Sequence, residues 1–173
     1  ENLLKPCISG EARFHGARRV YNEIRNNTMA GAVAGSPGTL PTNWLTNYGA
    51  GLDGLTQTIV GTGTDSGISY IDIKLTGTTS GARTAIAYSF FEAIAGVAAV
   101  QNQVWTESVY VKLQSGSLTN ITNLAISLAE YTAASAFLSI STTAITPTSV
   151  ALNTQRWAKT YTIVGATAAF INP

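Results

Sequence analysis

The chain has 173 residues, a net charge of +1 and only 11% charged side chains, which excludes the clustered Lys/Arg surface that nucleic-acid binding needs. One cysteine, Cys7, rules out an internal disulfide framework, and no apolar run approaches the roughly 18 residues of a membrane span. A chain of this length is one domain that buries about two thirds of its unfolded surface without a disulfide or a metal.

Charge is spread unevenly along it. Residues 1–25 hold eight of the nineteen charged side chains and the single histidine, His15. Residues 1–24 therefore read as a leader, either a docking or oligomerisation segment or a solvated linker, and 25–173 as the folded body. Glu1-Asn-Leu-Leu-Lys-Pro6 lacks the apolar stretch of a signal peptide.

The body opens with Ile24–Met29, which reads as a lead-in strand. Residues 30–44 are too rich in Gly and Pro to sustain a ladder, so they form a loop that crosses a sheet edge and ends on Trp44. Leu55–Val60 is a strand, 61–67 a polar turn, and Ile68–Leu75 a strand with one wet face. A longer strand spans Arg83–Phe91, and 92–103 is ambiguous between a helical turn and strand-loop-strand.

Val104 to Leu113 is the best-patterned stretch of the chain. Trp105, Val109, Val111 and Leu113 alternate with Thr106, Ser108, Tyr110 and Lys112, and Glu107 interrupts the apolar set. That is the period of a half-buried strand. Further strands follow at Ile121–Tyr131, Ala136–Ser141, Ser149–Leu152 (a short segment), Arg156–Val164 and Ala168–Asn172. Nine or ten short strands with turn signals and no helix predict a sandwich or barrel. Phe170-Ile171-Asn172-Pro173 stops on an apparent strand without a closing turn. A sandwich whose last strand is missing has an unpaired edge, a liability that natural sheets avoid, so the chain is expected to be a segment of a longer product whose further strands complete the sandwich.

Catalytic chemistry is poorly supplied. One histidine in the leader gives no Ser-His-Asp or Cys-His arrangement, and Cys7 with His15 falls short of a zinc site. The glycines of 61–67 have the wrong context for a phosphate loop. A glycosidase would need two opposed carboxylates, for which Glu107 and Glu130 are the conceivable pair. A structural calcium ion is a weak further candidate, with Asp53, Asp65 or Glu92 as ligands.

Binding is better supplied. Sugar rings stack their C–H faces on aromatic rings, and Tyr and Trp add a polar handle. Trp105 and Trp157 are first candidates for the core. Tyr110, Lys112, Trp44, Tyr70 and Arg83 are the candidate carbohydrate-binding residues, with Tyr110 and Lys112 on the wet face of their strand.

Three stretches taken together carry a resemblance: Arg25-Asn-Asn-Thr-Met29 with the loop from Gly31 to Trp44, Gln103-Val-Trp-Thr-Glu-Ser-Val-Tyr-Val-Lys-Leu-Gln-Ser-Gly116, and Asn153-Thr-Gln-Arg-Trp157. With the upstream Ala12-Arg-Phe-His-Gly-Ala-Arg-Arg-Val20, the chain resembles the jelly-roll, carbohydrate-binding-module-like domains of tailed-phage and prophage structural proteins, found in tail fibres, tail spikes and head fibres. The resemblance covers about residues 12–173. It implies an all-β, two-sheet antiparallel β-sandwich (jelly roll) with a short N-terminal extension, no catalysis, and a place in the virion. It also implies host-surface polysaccharide or other virion proteins as partners, and a homo-oligomer with a trimer as first guess. A structural calcium is common in such domains. The quoted motifs are mostly shared scaffold, so specificity is expected in the loops around them.

Overall fold

The computed structural model describes residues 22–46, 53–81, 86–90 and 96–173. The fold of these residues is all-β and sandwich-like, with every ladder antiparallel. Ten strands are present in chain order: β1 (Leu45–Thr46), β2 (Leu55–Asp65), β3 (Ile68–Gly77), β4 (Tyr88–Ser89), β5 (Val97–Ala98), β6 (Val104–Tyr110), β7 (Ala125–Tyr131), β8 (Phe137–Ala144), β9 (Arg156–Thr162) and β10 (Phe170–Asn172). Their hydrogen bonds divide the described strands among four sheets: the four-stranded β5-β10-β7-β8 and the pairs β1-β4, β2-β3 and β6-β9. Of the charged leader 1–24, only residues 22–24 lie among the described ones.

The core lies where the β6-β9 ribbon packs on the four-stranded sheet. Ala99, Leu128, Ile163, Ala168 and Ile171 are buried there, with Val97, Trp105, Leu138 and Tyr161 packed against them. Trp105 and Tyr161 face each other across the ribbon ladder, so one face of the ribbon supplies the aromatic half of the core. The placement of Trp105 follows the expectation from its alternation.

One buried carboxylate joins the two layers. Glu130 of β7 is fully buried and accepts hydrogen bonds from Tyr161 Oη at 2.5 Å, Val164 N–H at 2.9 Å and Gly165 N–H at 2.9 Å. Burial opposes its ionisation, but these donors outweigh that and hold its pKa below the ordinary glutamate value. Burial, followed by the Glu130 carboxylate, pushes the Tyr161 hydroxyl up, so it remains a donor. Gly165 has to be glycine here, because a Cβ would stand 2.5 Å from Glu130 Oε2.

The β2-β3 hairpin is longer than its sequence suggests. Residues 61–65, expected in a turn, continue the ladder as far as Asp65↔Ile68. A bulge between Ile59 and Gly61 resets the register, and the turn shrinks to Ser66 and Gly67. Both have positive φ (53° and 82°), as a type I′ turn demands. Gly63 sits opposite Tyr70 and lies under its ring: a Cβ there would be 2.7 Å from Tyr70 Oη. The ring fills the side-chain space that glycine leaves. Ile68–Ile73 are half-buried on both faces, so the expected single wet face of β3 does not occur.

Two further expectations are corrected. Ile24–Met29 is not a strand, because buried Asn26 takes over the backbone's partners. Its Nδ2 donates to Ala30 O and Thr42 O at 2.8 Å each, and its Oδ1 accepts from Ala30 N–H at 3.1 Å. The loop beyond folds on itself at Val33↔Thr39 and docks on the β2 edge at Gly35↔Ile59. The last strand, β10, lies between β5 and β7. The segment around Ser149–Leu152 ends in a 3-10 turn, Leu152–Thr154, rather than a strand. The described part of the ambiguous 92–103 region contains β5.

Replacing Glu130 with Gln turns an acceptor into an amide donor facing two N–H groups. The variant is expected to lose roughly 3 kcal/mol of stability at neutral pH by urea unfolding. Because the folded pKa is depressed, this contribution is present above the ordinary glutamate value and fades as pH falls through the lower folded one.

Candidate functional site

The β6-β9 ribbon has two unlike faces. Seven pairs run from Val104↔Thr162 to Tyr110↔Arg156. Trp105, Glu107, Val109, Trp157, Lys159 and Tyr161 turn toward the four-stranded sheet, and all are buried or half-buried. Val104, Thr106, Ser108, Tyr110, Arg156, Ala158, Thr160 and Thr162 are exposed on the other face. Two matched alternations fix this division, since neighbouring residues of a strand point to opposite sides.

The outer face is a flat row of hydroxyls that ends in an aromatic and a cation. Thr106 and Thr160 share a hydroxyl–hydroxyl bond of 2.9 Å. Arg156, opposite Tyr110 in the ladder, donates from Nη2 to Ser108 Oγ at 3.0 Å, which lays the guanidinium diagonally across the ladder. Tyr110 is 38% exposed, enough for one ring face to meet a ligand. No carboxylate belongs to this face. It offers stacking at Tyr110, donors at Arg156, and donor–acceptor hydroxyls along the remainder.

Lys112 is placed elsewhere. Past Tyr110, Val111 N–H still bonds Gln155 O, but Leu113 N–H turns to Thr148 O. Lys112 then pairs with Asp65 at the hairpin tip, Nζ to Oδ2 at 3.4 Å, with both side chains largely covered. Asp65 also accepts from Ser66 Oγ at 3.0 Å and Leu152 N–H at 3.4 Å. The Ser66 bond first, then Leu152 and Lys112, hold its carboxyl below the ordinary range despite partial burial. Lys112 is thus a tie between hairpin and ribbon, not a free cation beside Tyr110.

Trp44 lines an open groove of about 430 Å³ with Pro37, Leu40, Leu45 and Gln57 among its neighbours. Its indole N–H donates to Asn26 O at 3.0 Å, and its ring meets Phe90 at 4.7 Å and 59°. Gln57 donates to Pro37 O and accepts from Tyr88 Oη. The polar atoms of Trp44 and Gln57 are therefore engaged within the fold, and the groove presents mainly apolar wall. Tyr70 covers Gly63, and Arg83 lies outside the described residues. Of the four candidates among the described residues, only Tyr110 lies on the ribbon's outer face.

Glu107 and Glu130 do not face each other across a groove, for both are buried between the layers. Glu107 stands opposite Lys159 in the ladder, but that ammonium donates to Thr142 O at 3.2 Å and Thr143 Oγ1 at 3.1 Å. Glu107 Oε2 and Trp157 Nε1 have no hydrogen-bond partner among the described residues. Burial, only partly offset by Lys159, pushes the Glu107 carboxyl up to about 7. As for calcium, Asp53 accepts from Ser80 Oγ, Asp65 is engaged as above, and Glu92 lies outside the described residues. No three His, Cys, Asp or Glu side chains come together among the described residues. No helix among them is long and apolar enough to cross a membrane.

Sequence reasoning missed Arg156 as a partner of Tyr110, along with the supporting roles of Ser108 and Thr160. Their common signal was the alternation of Arg156-Trp-Ala-Lys-Thr-Tyr-Thr162, which matches that of β6, but only the ladder register reveals which residues meet. The chain matches no protein-family model, no curated protein and no solved structure.

The state of Glu107 carries a pH signature. With its folded pKa raised from 4.5 to about 7, the folded chain binds more protons than the unfolded one across that interval. Stability should fall as pH rises through it, by up to about 3 kcal/mol. Glu107→Gln should flatten the profile and be more stable than the parent at pH 8. Urea midpoints measured between pH 4 and 8 check this, and parallel curves for parent and variant would contradict it.

Proposed function

We propose that this chain is a non-enzymatic structural component of a tailed-phage virion whose sandwich domain binds a host-surface glycan through the outer face of β6-β9. The observation that supports this best is the exposed row formed by Tyr110, Arg156, Ser108, Thr106 and Thr160. It joins an aromatic ring to a line of hydroxyl and guanidinium donors on a rigid ladder. Polyhydroxylated rings want that combination: a flat C–H face for the tyrosine and planar or hydroxylic partners for the sugar oxygens. The resemblance of the chain's motifs to phage appendage domains supports the virion setting.

The test is a titration of the full chain against polysaccharides of candidate hosts. Tyr110→Ala should weaken binding roughly tenfold or more, equivalent to about 1.4 kcal/mol. Its unfolding midpoint should stay close to the parent's, since the side chain is exposed. Unchanged affinity would remove this face from the reading.

A second reading is favoured by a different observation. The edge strand β8, Phe137–Ala144, carries no charged side chain, and Phe137 and Ile140 are 57% and 53% exposed. Among the described residues, Lys159 reaches its backbone at Thr142 O. An edge of this kind pairs readily with another chain, which suits a purely architectural decoration or head-fibre protein that assembles without binding sugar. In that case sedimentation should show a concentration-dependent oligomer, a trimer being the first guess, which Ile140→Lys dissociates without unfolding. A monomer at all concentrations would count against it.

A further inference from the structure

We propose that the outer face of the β6-β9 ribbon is selective for acidic polysaccharides, with Arg156 receiving the carboxylate of a sugar acid while Tyr110 stacks on the ring that carries it. The proposal rests on the glycan-binding reading above and names its ligand class.

Three observations carry it. First, Tyr110 and Arg156 are directly opposed in the ladder, where side chains start about 5 Å apart. One sugar residue can therefore touch both. Second, the guanidinium is held in place: Nη2 donates to Ser108 Oγ at 3.0 Å, which leaves other N–H groups of the fork for an incoming group. Arginine's planar fork matches a carboxylate with two parallel hydrogen bonds, so its preference is for that anion and not merely for negative charge.

Third, no carboxylate among the described residues pairs with Arg156. The exposed residues of the ribbon face are Val, Thr, Ser, Tyr, Ala and Arg, with no acid among them. Neither Glu107, the one acid in the ladder, nor Asp65 of the hairpin tip joins this face. Glu107 points to the opposite face and is buried, and Asp65 is paired with Lys112 at the hairpin tip. The face thus presents one oriented cation beside one exposed ring, and a neutral glycan would leave that cation without an anionic partner. Exposure makes the pair sensitive to salt, because an ion pair in water is screened over about 8 Å at physiological ionic strength.

The experiment measures binding of the full chain to uronic-acid polysaccharides (polygalacturonate, alginate, hyaluronate), each beside its carboxyl-reduced form. The expected result is at least tenfold tighter binding to the acidic form of one of these polymers, a gap that narrows with added salt. Arg156→Gln should close the gap by weakening binding to the acidic polymer far more than binding to the reduced one. Arg156→Lys should recover only part of it, since charge returns without the fork. Tyr110→Ala should weaken binding to both forms. Equal binding of acidic and reduced forms, or an acid preference that survives Arg156→Gln, overturns the proposal and leaves the glycan reading standing. Binding to neither form of any of these polymers by the parent chain counts against both.

Discussion

The fold depends most on the carboxylate of Glu130. It stands on β7, the interior strand of the larger sheet, and its donors come from β9 and from the corner that leads into β10. A single side chain thus fixes the ribbon's core tyrosine, the direction in which the chain leaves the ribbon, and the approach of the last strand. An ionised group inside a core is costly unless its lone pairs are met. Here two backbone N–H groups and one hydroxyl meet them, and the close approach requires glycine at 165. Around that point the apolar residues of both layers close: Leu128, Ile163 and Ile171.

Glu107 is the opposite case in the same interlayer space. It too is buried, but its ladder partner Lys159 turns to β8, where it covers a backbone carbonyl of the open edge. One lysine cannot both guard an edge and neutralise a neighbour's carboxylate. The structure gives the edge its lysine and leaves Glu107 to proton exchange near neutral pH. Two glutamates on adjacent layers therefore oppose each other in pH response, one stabilising when charged and the other when neutral. Glu130 has three hydrogen-bond donors on its carboxylate, whereas Glu107 Oε2 has none among the described residues.

How far the sequence could be read follows from the range of the interactions involved. The alternation of 104–110 is set by adjacent residues, so it was legible, as were the inward Trp105 and the outward Tyr110. The all-β class followed from strand-length runs and turn residues in the same way. What escaped reading depends on contacts distant in the chain. Asn26 replaces a strand with side-chain bonds to Ala30 and Thr42. The tyrosine ring over Gly63 lets a glycine-rich segment stay in a ladder instead of turning. Lys112 shares the parity of Tyr110, yet the chain bends away at Leu113 and an aspartate from the hairpin tip captures it. Period alone predicts the side of a strand, not what waits there.

The division of labour on the ribbon leaves its outer face free for the proposed glycan contact. A two-stranded ribbon is marginal by itself and needs one packed face. Trp105, Val109 and Tyr161 supply that face here, together with the ladder bonds, and the outer residues add only two side-chain bonds of modest worth in water. Substitution on the outer face therefore changes what the ribbon presents and leaves largely intact what holds it. A face free of structural duty can carry an exposed arginine that no carboxylate among the described residues pairs with. The same freedom is denied to Lys112 and Tyr70, which resemble site residues in type but are bound to tasks of the fold.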